Sequence, residues 1–354
     1  MDKGYIAPEA ALKKLRVAKG LGQAVYIYGA TGYGKTELVR QYLSRRRYHY
    51  ISCAEDAAGL METAETAQEA ASHSSGKEKE AQPRTVMVVD DMHLLKNAEG
   101  RKAVLSLAGR QDVWFILICR SPIPAWLMPL YIKGGFLVIT EDDLRLGEKE
   151  ISAYMDSQGL TATEEEVVFV AVRSQGNAYT VRHTALKMLE GMRPGPEMAE
   201  EIVEAFAAYL ESHVMVQWDS DLLEFLVQVS VTDEFTLPLA EMVTGNRHAP
   251  ELLERAAETG NFLSCKDGTY RLRPQLIRAL RRRAAKEYSP QERADHAYNA
   301  GLYYEMQGQI VPALAMFEQC GNKERIRELL IRNARLNPGA GHYFELRRYY
   351  LQME

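Results

Sequence analysis

Hydrophobic positions change their spacing along this chain. From residue 24 to about 140, short apolar runs rich in β-branched residues alternate with helical or loop segments. Continuous apolar runs of this kind are typical of strands buried on both faces of a parallel sheet. The predicted strands cover residues 24–28, 48–52, 85–90, 113–119 and 136–139. Between the second and third strands, residues 62–84 predict a short helix followed by a solvated loop.

After residue 147 the apolar residues recur at helical spacing, which predicts a largely α-helical second half. Two glycines and two prolines within residues 191–196 mark a break, and a second one is expected near Ser289-Pro290. These signals divide the chain into four predicted parts. They are an α/β domain over 1–147, a small helical domain over 148–193, a third domain over 194–288 and a helical segment over 289–354.

The last two parts carry signals of known small folds. Residues 261–272 hold two short apolar runs around Asp267-Gly268, which predicts a β-hairpin after several helices and hence a winged helix. The final segment has small and aromatic residues at the offsets of a tetratricopeptide helix pair. These residues are Gly301, Tyr304, Gly308, Ala313 and Phe317. One such pair cannot bury its own apolar face, so we expect this chain to be the front part of a longer protein.

The composition excludes several classes of protein. Of the 354 residues, 46% are hydrophobic and 26% are charged, as in ordinary globular domains. The formal net charge of −5 gives no overall basic field for nucleic acid. The longest apolar run, residues 113–119, is too short to cross a membrane, and the N-terminus resembles no secretory signal. Four cysteines without a CxxC pair predict a reducing, cytoplasmic location.

A phosphate-binding motif follows the first predicted strand. The pattern G-x-x-x-x-G-K-[ST] is complete and opens a helix that begins at Glu37. Its glycines let successive backbone N–H groups point at phosphate oxygens. Lys35 is expected to supply a positive charge to the β- and γ-phosphates of ATP or ADP, and the Thr36 hydroxyl is expected to ligate Mg²⁺. The predicted nucleotide-binding residues are Gly29, Ala30, Thr31, Gly32, Tyr33, Gly34, Lys35, Thr36 and Glu37.

Two further strand ends carry candidate catalytic groups. Asp90 is expected to hold Mg²⁺ directly or through water, and Asp91 to orient or deprotonate the attacking water. Arg120 follows the fourth strand and is expected to sense the γ-phosphate, whereas His93 is expected to be structural. Because an extra strand lies between the two motifs, we expect strands four and five, and not the Asp90 strand, to flank the first strand.

With these residues the chain resembles the signal-transduction ATPases with numerous domains, and among them the maltose-regulator type of large LuxR-family transcriptional activators. In the nucleotide domain, residues 32–36, 89–95, 120–124 and 139–146 are similar to the family's blocks. The later similar segments are residues 221–226, 230–231, 235–236, 252–255 and 270–274. The resemblance implies a P-loop NTPase fold with a five-stranded parallel sheet of the ASCE type, then a helical domain, a winged helix and the start of a TPR-like array.

The resemblance also implies a regulatory switch. Such proteins hold ADP at rest and exchange it for ATP when an inducer ligand or protein binds the helical repeats. They then self-associate and activate transcription, and slow ATP hydrolysis is part of their control. Their LuxR-type DNA-binding domain lies at the far C-terminus, and since no such segment is visible here, we expect DNA binding to reside outside this chain.

Three further segments are candidates for contacts with the nucleotide. Arg273 stands before a proline where the family usually has His, and a cation there is expected to contact the phosphate of ADP. Gly176-Asn177-Ala178 stands where related ATPases often have Gly-x-Pro, at the wall against the base. Pro8 belongs to a segment that either lines the adenine pocket or is a simple entry loop.

A basic stretch leaves a second function open. Its residues are Arg271, Arg273, Arg278, Arg281, Arg282, Arg283 and Lys286. They either meet DNA phosphates or form a solvated or inter-domain face that pairs with acidic segments such as 197–204. The alternative function is therefore a DNA-binding ATPase of the initiator or helicase-loader kind that uses the winged helix directly. A metabolic phosphotransferase is a further alternative, for which the sequence offers no acceptor pocket.

Overall fold

The chain divides into two compact units, Met1–Ala205 with Ala257–Asn261 and Phe206–Ala256 with Phe262–Glu354. The computed structural model describes residues 4–54, 59, 62, 85–95, 97–110, 112–258, 262–336 and 343–352. Apart from Glu62, the helix and loop predicted over residues 62–84 lie outside the described residues. The domain boundaries predicted at residues 147, 193 and 288 stay predictions.

A five-stranded parallel sheet forms the centre of the first unit. Its strands are β1 (Ala24–Tyr28), β2 (His49–Ser52), β3 (Thr85–Asp90), β4 (Val113–Cys119) and β5 (Phe136–Ile139). Their order is β2-β3-β4-β1-β5, which confirms that strands four and five flank the first strand. Every residue of β4 is buried, and this explains why its sequence is apolar without alternation. The predicted fold class is confirmed for this half of the chain.

Helices precede, connect and follow these strands. They are α1 (Glu9–Leu21), α2 (Lys35–Tyr42), α3 (Ala98–Ala108), α4 (Met128–Ile132), α5 (Glu141–Leu144), α6 (Glu148–Ser157), α7 (Glu164–Ser174), α8 (Ala178–Leu189) and α9 (Pro196–His213). Helices α6, α7 and α8 enclose a small core of their own around Ile151, Met155 and Val170. This separate core agrees with the change from strand to helix periodicity in the sequence.

The second unit contains a winged-helix arrangement. Its helices are α10 (Ser220–Val229), α11 (Leu237–Thr244), α12 (Ala249–Glu258) and α13 (Pro274–Glu287), and its strands are β6 (Glu234–Thr236), β7 (Leu263–Lys266) and β8 (Thr269–Leu272). The strands form an antiparallel sheet in the order β6-β8-β7. Asp267 and Gly268 have φ values of 52° and 76°, the positive values that a type I′ hairpin turn requires. The predicted hairpin is confirmed.

Four helices follow the winged helix along the described part of the chain. The helices here are α14 (Pro290–Met306), α15 (Ile310–Gln319), α16 (Lys323–Leu336) and α17 (Tyr343–Leu351). Gly301 of α14 faces the buried ring of Phe317 in α15, and a Cβ at Gly301 would lie 2.6 Å from the ring. The missing side chain therefore lets the two helices approach closely, as the tetratricopeptide offsets predict. None of the described helices has both the length and the apolar character needed to span a bilayer.

Gly301→Ala should destabilise the second unit. The added methyl overlaps a fully buried ring that has no room to shift, and overpacking of this kind costs about 1–3 kcal/mol. The higher helix propensity of alanine returns about 1 kcal/mol, so we expect a net loss of up to about 2 kcal/mol. Urea unfolding followed by circular dichroism measures the change.

Gly20→Ala is the matched control for Gly301→Ala. Gly20 also lies within a helix, α1, but a Cβ there would meet nothing within 4 Å. Only the propensity gain of about 1 kcal/mol then remains, and the sign of the effect should be opposite. Equal changes in the two variants would contradict the close packing of α14 against Phe317.

Candidate nucleotide site

The loop between β1 and α2 has the conformation that its glycines predict. Gly32 and Gly34 have φ values of 84° and 71°, which disfavour a side chain. Gly34 is also the N-cap residue of α2 and offers no side-chain oxygen to the first turn. The free N–H groups of that turn therefore stay available for an anion at the positive end of the helix.

Lys35 closes the loop on itself. Its Nζ donates hydrogen bonds to the carbonyl oxygens of Gly29 at 2.7 Å and Ala30 at 2.8 Å. Burial of the ammonium, together with the positive charge of Arg120 and against the attraction of Asp90, lowers the pKa of Lys35 to about 8. The ammonium is thus held by backbone carbonyls inside the loop. The same loop is expected to bind the phosphates.

Asp90 collects hydrogen bonds from three parts of the chain. Its Oδ2 accepts from the Thr36 hydroxyl at 2.6 Å and from the Tyr50 hydroxyl at 2.9 Å. Its Oδ1 accepts from the backbone N–H of Asp91 at 2.7 Å. The side chain is nearly enclosed, since Asp90 is 4% exposed. The phosphate-loop helix and the acidic strand end are therefore joined directly.

Asp91 has an uncommon backbone conformation beside Asp90. Its φ is 54°, in the left-handed region that few residues other than glycine, asparagine and aspartate adopt. The Ser52 hydroxyl donates to its Oδ2 at 3.1 Å. Burial, and then the neighbouring charge of Asp90, raise the pKa of Asp91 above the usual range of a carboxyl. A carboxylate with a raised pKa is a better proton acceptor.

Arg120 and His93 lie in the same electrostatic environment. The charge of Arg120 lowers the pKa of Lys35 and His93 and opposes the rise of the Asp91 pKa. Burial, followed by the charges of Arg120 and Lys35, lowers the pKa of His93 to about 3. Neither ring nitrogen of His93 has a hydrogen-bond partner among the described residues. The imidazole is therefore neutral at pH 7.

Glu141 is a buried carboxylate on the phosphate loop. It is 5% exposed, and its Oε2 accepts a hydrogen bond from the Ala30 N–H at 2.7 Å. A Cβ at Gly29 would lie 3.1 Å from the Cβ of Glu141, so glycine favours this close approach. The first turn of α5 thus holds the start of the loop, while Lys35 holds the carbonyls of the same segment.

The segment before α8 contacts the loop from another side. The Asn177 side-chain amide donates to the Thr31 carbonyl at 3.1 Å, and the backbone N–H of Tyr179 donates to the Gly32 carbonyl at 2.9 Å. Asn177 also caps α8 by accepting from the Thr180 N–H. A Cβ at Gly32 would lie 2.8 Å from the Asn177 amide. Residues at the Gly-x-Pro position of the family therefore hold the loop through its backbone.

The structure brings together most of the predicted site residues. Lys35, Thr36, Asp90, Asp91 and Arg120 meet at the carboxyl edge of the sheet, where ligands of open α/β sheets bind. The roles predicted for these residues stay predictions.

Three other predicted site residues are described one by one. Glu37 follows Thr36 in the first turn of α2, and its negative charge adds to burial in raising the pKa of Tyr5. Pro8 is buried and precedes α1 as its N-cap residue. Arg273 belongs to the second unit, where it is the N-cap residue of α13 and its N–H donates to the Phe262 carbonyl. The roles predicted for Glu37, Pro8 and Arg273 also stay predictions.

For four polar residues of this site the sequence predicts no contact with the phosphate loop or the acidic pair. Tyr50 and Ser52 stand two apart on β2, a spacing that places two hydroxyls on one face of a strand. Glu141 and Asn177 each stand at the start of a helix, and Asn177 is a good N-cap type. Both patterns are common in proteins, so neither by itself points to a phosphate loop.

Much of the basic stretch in α13 forms ion pairs within the second unit. Arg281 donates to the Ser230 carbonyl at 2.7 Å and to Asp233 at 2.8 Å. Arg282 and Lys286 pair with Glu211 at 3.0 and 2.7 Å. Local acidic partners therefore reduce the positive field that this helix presents to a polyanion.

Comparison with family models gives one match. Residues 211–292 match the family described as the MalT winged helix domain. This region is similar to a MalT-type winged helix domain. The domain spans α10 to α13 and confirms the predicted resemblance to the maltose-regulator type of ATPase. A search of curated protein sequences gives no match.

Comparison with solved structures finds an ATPase that resembles this chain in fold. A Walker-type ATPase of Pyrococcus abyssi aligns over 78% of this chain and 96% of its own, with 14% identity and a TM-score of 0.56. This likeness shows a shared fold.

Two further solved structures align with lower TM-scores. A signal transduction ATPase with numerous domains and a tetratricopeptide repeat sensor from Pyrococcus horikoshii aligns over 96% of this chain and 52% of its own, with 14% identity and a TM-score of 0.39. This chain therefore spans about half of that protein's length. RuvB of Thermotoga maritima aligns over 77% of this chain and 92% of its own, with 15% identity and a TM-score of 0.40.

His93→Phe should flatten the acid dependence of stability. The pKa of His93 is about 3 in the folded chain and 6.5 when solvated, so between these values the unfolded state binds a proton that the folded state does not. Stability is therefore lost as the pH falls through this window, by about 1.4 kcal/mol per pH unit at its steepest. Phenylalanine cannot protonate and loses no hydrogen bond seen among the described residues.

Urea unfolding of both proteins at pH 7.5, 6.0 and 5.0 measures this difference. The wild-type protein should lose about 2 kcal/mol more than His93→Phe between pH 7.5 and 5.0. The comparison uses the change with pH within each protein, so a constant packing difference between the two side chains cancels. Parallel pH profiles would show that His93 is protonated alike in the folded and unfolded states.

Proposed function

We propose that this chain is the ATP- and ADP-dependent switch module of a transcription regulator. The observation that carries the proposal is a P-loop whose Thr36 hydroxyl bonds the strand-end carboxylate of Asp90, in one chain with a MalT-type winged helix domain. The first feature supports binding of a nucleotide with a divalent cation. The second supports a regulatory use of that nucleotide.

The loop binds the nucleotide through its phosphates. The N–H groups at the start of α2 and the Lys35 ammonium face the same small space, so an anion there exchanges with the carbonyl contacts that Lys35 makes at Gly29 and Ala30. Burial and the Arg120 charge lower the pKa of Lys35, and the negative charge of a nearby phosphate raises it again. Glu141 and Asn177 hold the loop backbone while this exchange takes place.

Thr36 and Asp90 fit a magnesium ion. Hydroxyl and carboxylate oxygens are the ligands that Mg²⁺ prefers, and nucleotide-bound Mg²⁺ takes only one or two of them from the protein. Among the described residues no cluster of three or more His, Cys, Asp or Glu forms a dedicated metal cage, which agrees with such a site. When bound, Mg²⁺ neutralises charge that develops on the phosphate oxygens.

The same edge of the sheet supports slow hydrolysis of ATP. Asp91 is the base: with a pKa raised by burial and a hydroxyl from Ser52 to orient it, its carboxylate accepts the proton of the attacking water. Arg120 donates to the γ-phosphate oxygens, where negative charge must be stabilised during transfer. Hydrolysis leaves ADP in the loop and returns the switch to its resting form.

Regulation is proposed by analogy with the maltose-regulator type. An inducer ligand or protein binds helical repeats, ADP gives way to ATP, and the ATP-bound form self-associates. The segment with Pro8 contributes to the adenine pocket, and the role predicted for the Arg273 cation stays a prediction. By the same analogy DNA is bound through a LuxR-type domain. The ion pairs of α13 with Glu211 and Asp233 favour this over direct DNA binding by the winged helix, because they reduce the positive charge that this helix offers to phosphates.

Lys35→Ala should lose the bound nucleotide. The variant removes the buried ammonium that serves the phosphates, so we expect the wild-type protein to release ADP in a near 1:1 ratio on denaturation and the variant to release less than a tenth of that amount. Anion-exchange chromatography of the denatured supernatant measures both. Lys102→Ala, at an exposed position of α3 in the same unit, should retain ADP.

A wild-type protein that carries no nucleotide and binds neither ADP nor ATP in a titration would refute the proposed function. Equal ADP retention by the wild-type protein and Lys35→Ala would place the nucleotide outside the P-loop. Circular dichroism of each variant establishes that a loss of ADP does not follow from unfolding.

Asp91→Asn should slow hydrolysis without weakening nucleotide binding. Asparagine keeps the shape of the side chain and tolerates the positive φ at this position, but it cannot accept the proton. Loss of a general base lowers rates by about 10²-fold or more. Single-turnover conversion of bound ATP measures the rate, and an ADP titration measures the affinity. Asp112→Asn, just before the amino end of β4, is the control and should hydrolyse ATP at the wild-type rate.

A further inference from the structure

Strand β2 supplies one hydroxyl to each member of the acidic pair. The Tyr50 hydroxyl lies 2.9 Å from Asp90 Oδ2, and the Ser52 hydroxyl lies 3.1 Å from Asp91 Oδ2. The register explains why both reach the same place: Tyr50 pairs with Val88 and Ser52 with Asp90, so the two side chains stand on one face of β2 beside the end of β3. In the proposed function Ser52 orients Asp91, whereas Tyr50 has no role.

The Tyr50 hydroxyl determines which oxygen of Asp90 remains free. A carboxylate offers about four acceptor sites, two on each oxygen. Thr36 and Tyr50 both donate to Oδ2, whereas Oδ1 receives only the Asp91 N–H among the described residues. Acceptor capacity for a cation, or for a water bound to it, is therefore left on Oδ1. Because Asp90 is 4% exposed, neighbouring protein groups supply most of the contacts that orient its carboxylate.

The tyrosine ring is itself held in place from the phosphate-loop helix. The guanidinium of Arg40 lies over the Tyr50 ring, 5.3 Å from its centroid. Arg40 follows Thr36 by four residues in α2, so the two side chains stand one turn apart on one face of that helix. One helix face therefore fixes both donors of Asp90 Oδ2: Thr36 directly and Tyr50 through its ring.

We propose that Tyr50 is a positioning residue that orients the Asp90 carboxylate toward the divalent cation of the nucleotide site. The inference rests on the proposed function, since it needs a nucleotide-bound cation at Thr36 and Asp90. Groups that hydrogen-bond a metal ligand fix its orientation, and their removal lowers metal affinity by about 10- to 100-fold. Tyr50 supplies this support from the edge strand of the sheet.

Tyr50→Phe tests the inference because it removes only the hydroxyl. The full chain is first stripped of nucleotide, and the affinity of a fluorescent ADP analogue is measured in EDTA and then across a Mg²⁺ titration. We expect the affinity in EDTA to stay within about twofold of wild type, because the phosphate loop is unchanged. The Mg²⁺ concentration needed for half of the metal-dependent gain should rise by about tenfold or more.

Tyr48→Phe is the matched control. Tyr48 precedes β2 by one residue, and the described part of the chain shows no hydrogen bond from it to Asp90 or Asp91. Its Mg²⁺ requirement should equal that of the wild-type protein. A change of equal size in both variants would mean that loss of a tyrosine hydroxyl from this segment acts through folding, and would overturn the inference.

The remaining outcomes separate the two proposals. If the wild-type protein binds ADP with a clear Mg²⁺ dependence and Tyr50→Phe requires the same Mg²⁺ concentration, the inference about Tyr50 fails and the proposed function stands. If Tyr50→Phe loses ADP affinity in EDTA as strongly as in Mg²⁺, Tyr50 supports the loop and not the cation, and the inference also fails. If the wild-type protein binds no ADP, both proposals fail together.

Discussion

The hydrogen bond between Thr36 and Asp90 depends on a strand that supplies neither residue. In the sheet, β4 lies between β1 and β3, and Ile116 of β4 pairs with Val25 on one side and Val88 on the other. The register of β4 therefore brings the ends of β1 and β3 to the same level, where the loop and the acidic pair begin. A shift of β4 by one residue would turn its side chains to opposite faces and misalign the two halves of the site.

The sequence predicted those parts of the site that depend on local pattern. The P-loop, the acidic pair and the order of β4, β1 and β5 follow from a motif with fixed backbone geometry and from the count of strands between the two motifs. The contact of Glu141 does not follow from local pattern, because it depends on the end of β5 lying beside the start of the loop. The role of Tyr50 likewise arises from the pairing of β2 with β3, which periodicity does not reveal.

The basic residues of α13 also show what the sequence alone does not predict. A count along the sequence finds a basic stretch in α13, whereas the structure divides it into separate pairs and carbonyl contacts. Arg281, for example, satisfies a carbonyl at the end of α10 as well as Asp233. Such a side chain stabilises the winged helix by closing one helix end and has less freedom to meet a phosphate. Fold-level charge sums therefore predict binding poorly when the acidic partners are nearby in space but distant in sequence.

Two hydrogen bonds link the phosphate loop to the start of α8. Asn177 and Tyr179 donate hydrogen bonds to the carbonyls of Thr31 and Gly32, so two successive peptides of the loop are held from the carbonyl side. A displacement of the loop must either break these two bonds or carry the start of α8 with it. Helix α8 shares a packed core with α6 and α7, and closely packed helices move as a body. A ligand that displaced the loop would therefore also displace the start of α8, and these helices would not need to touch the phosphates.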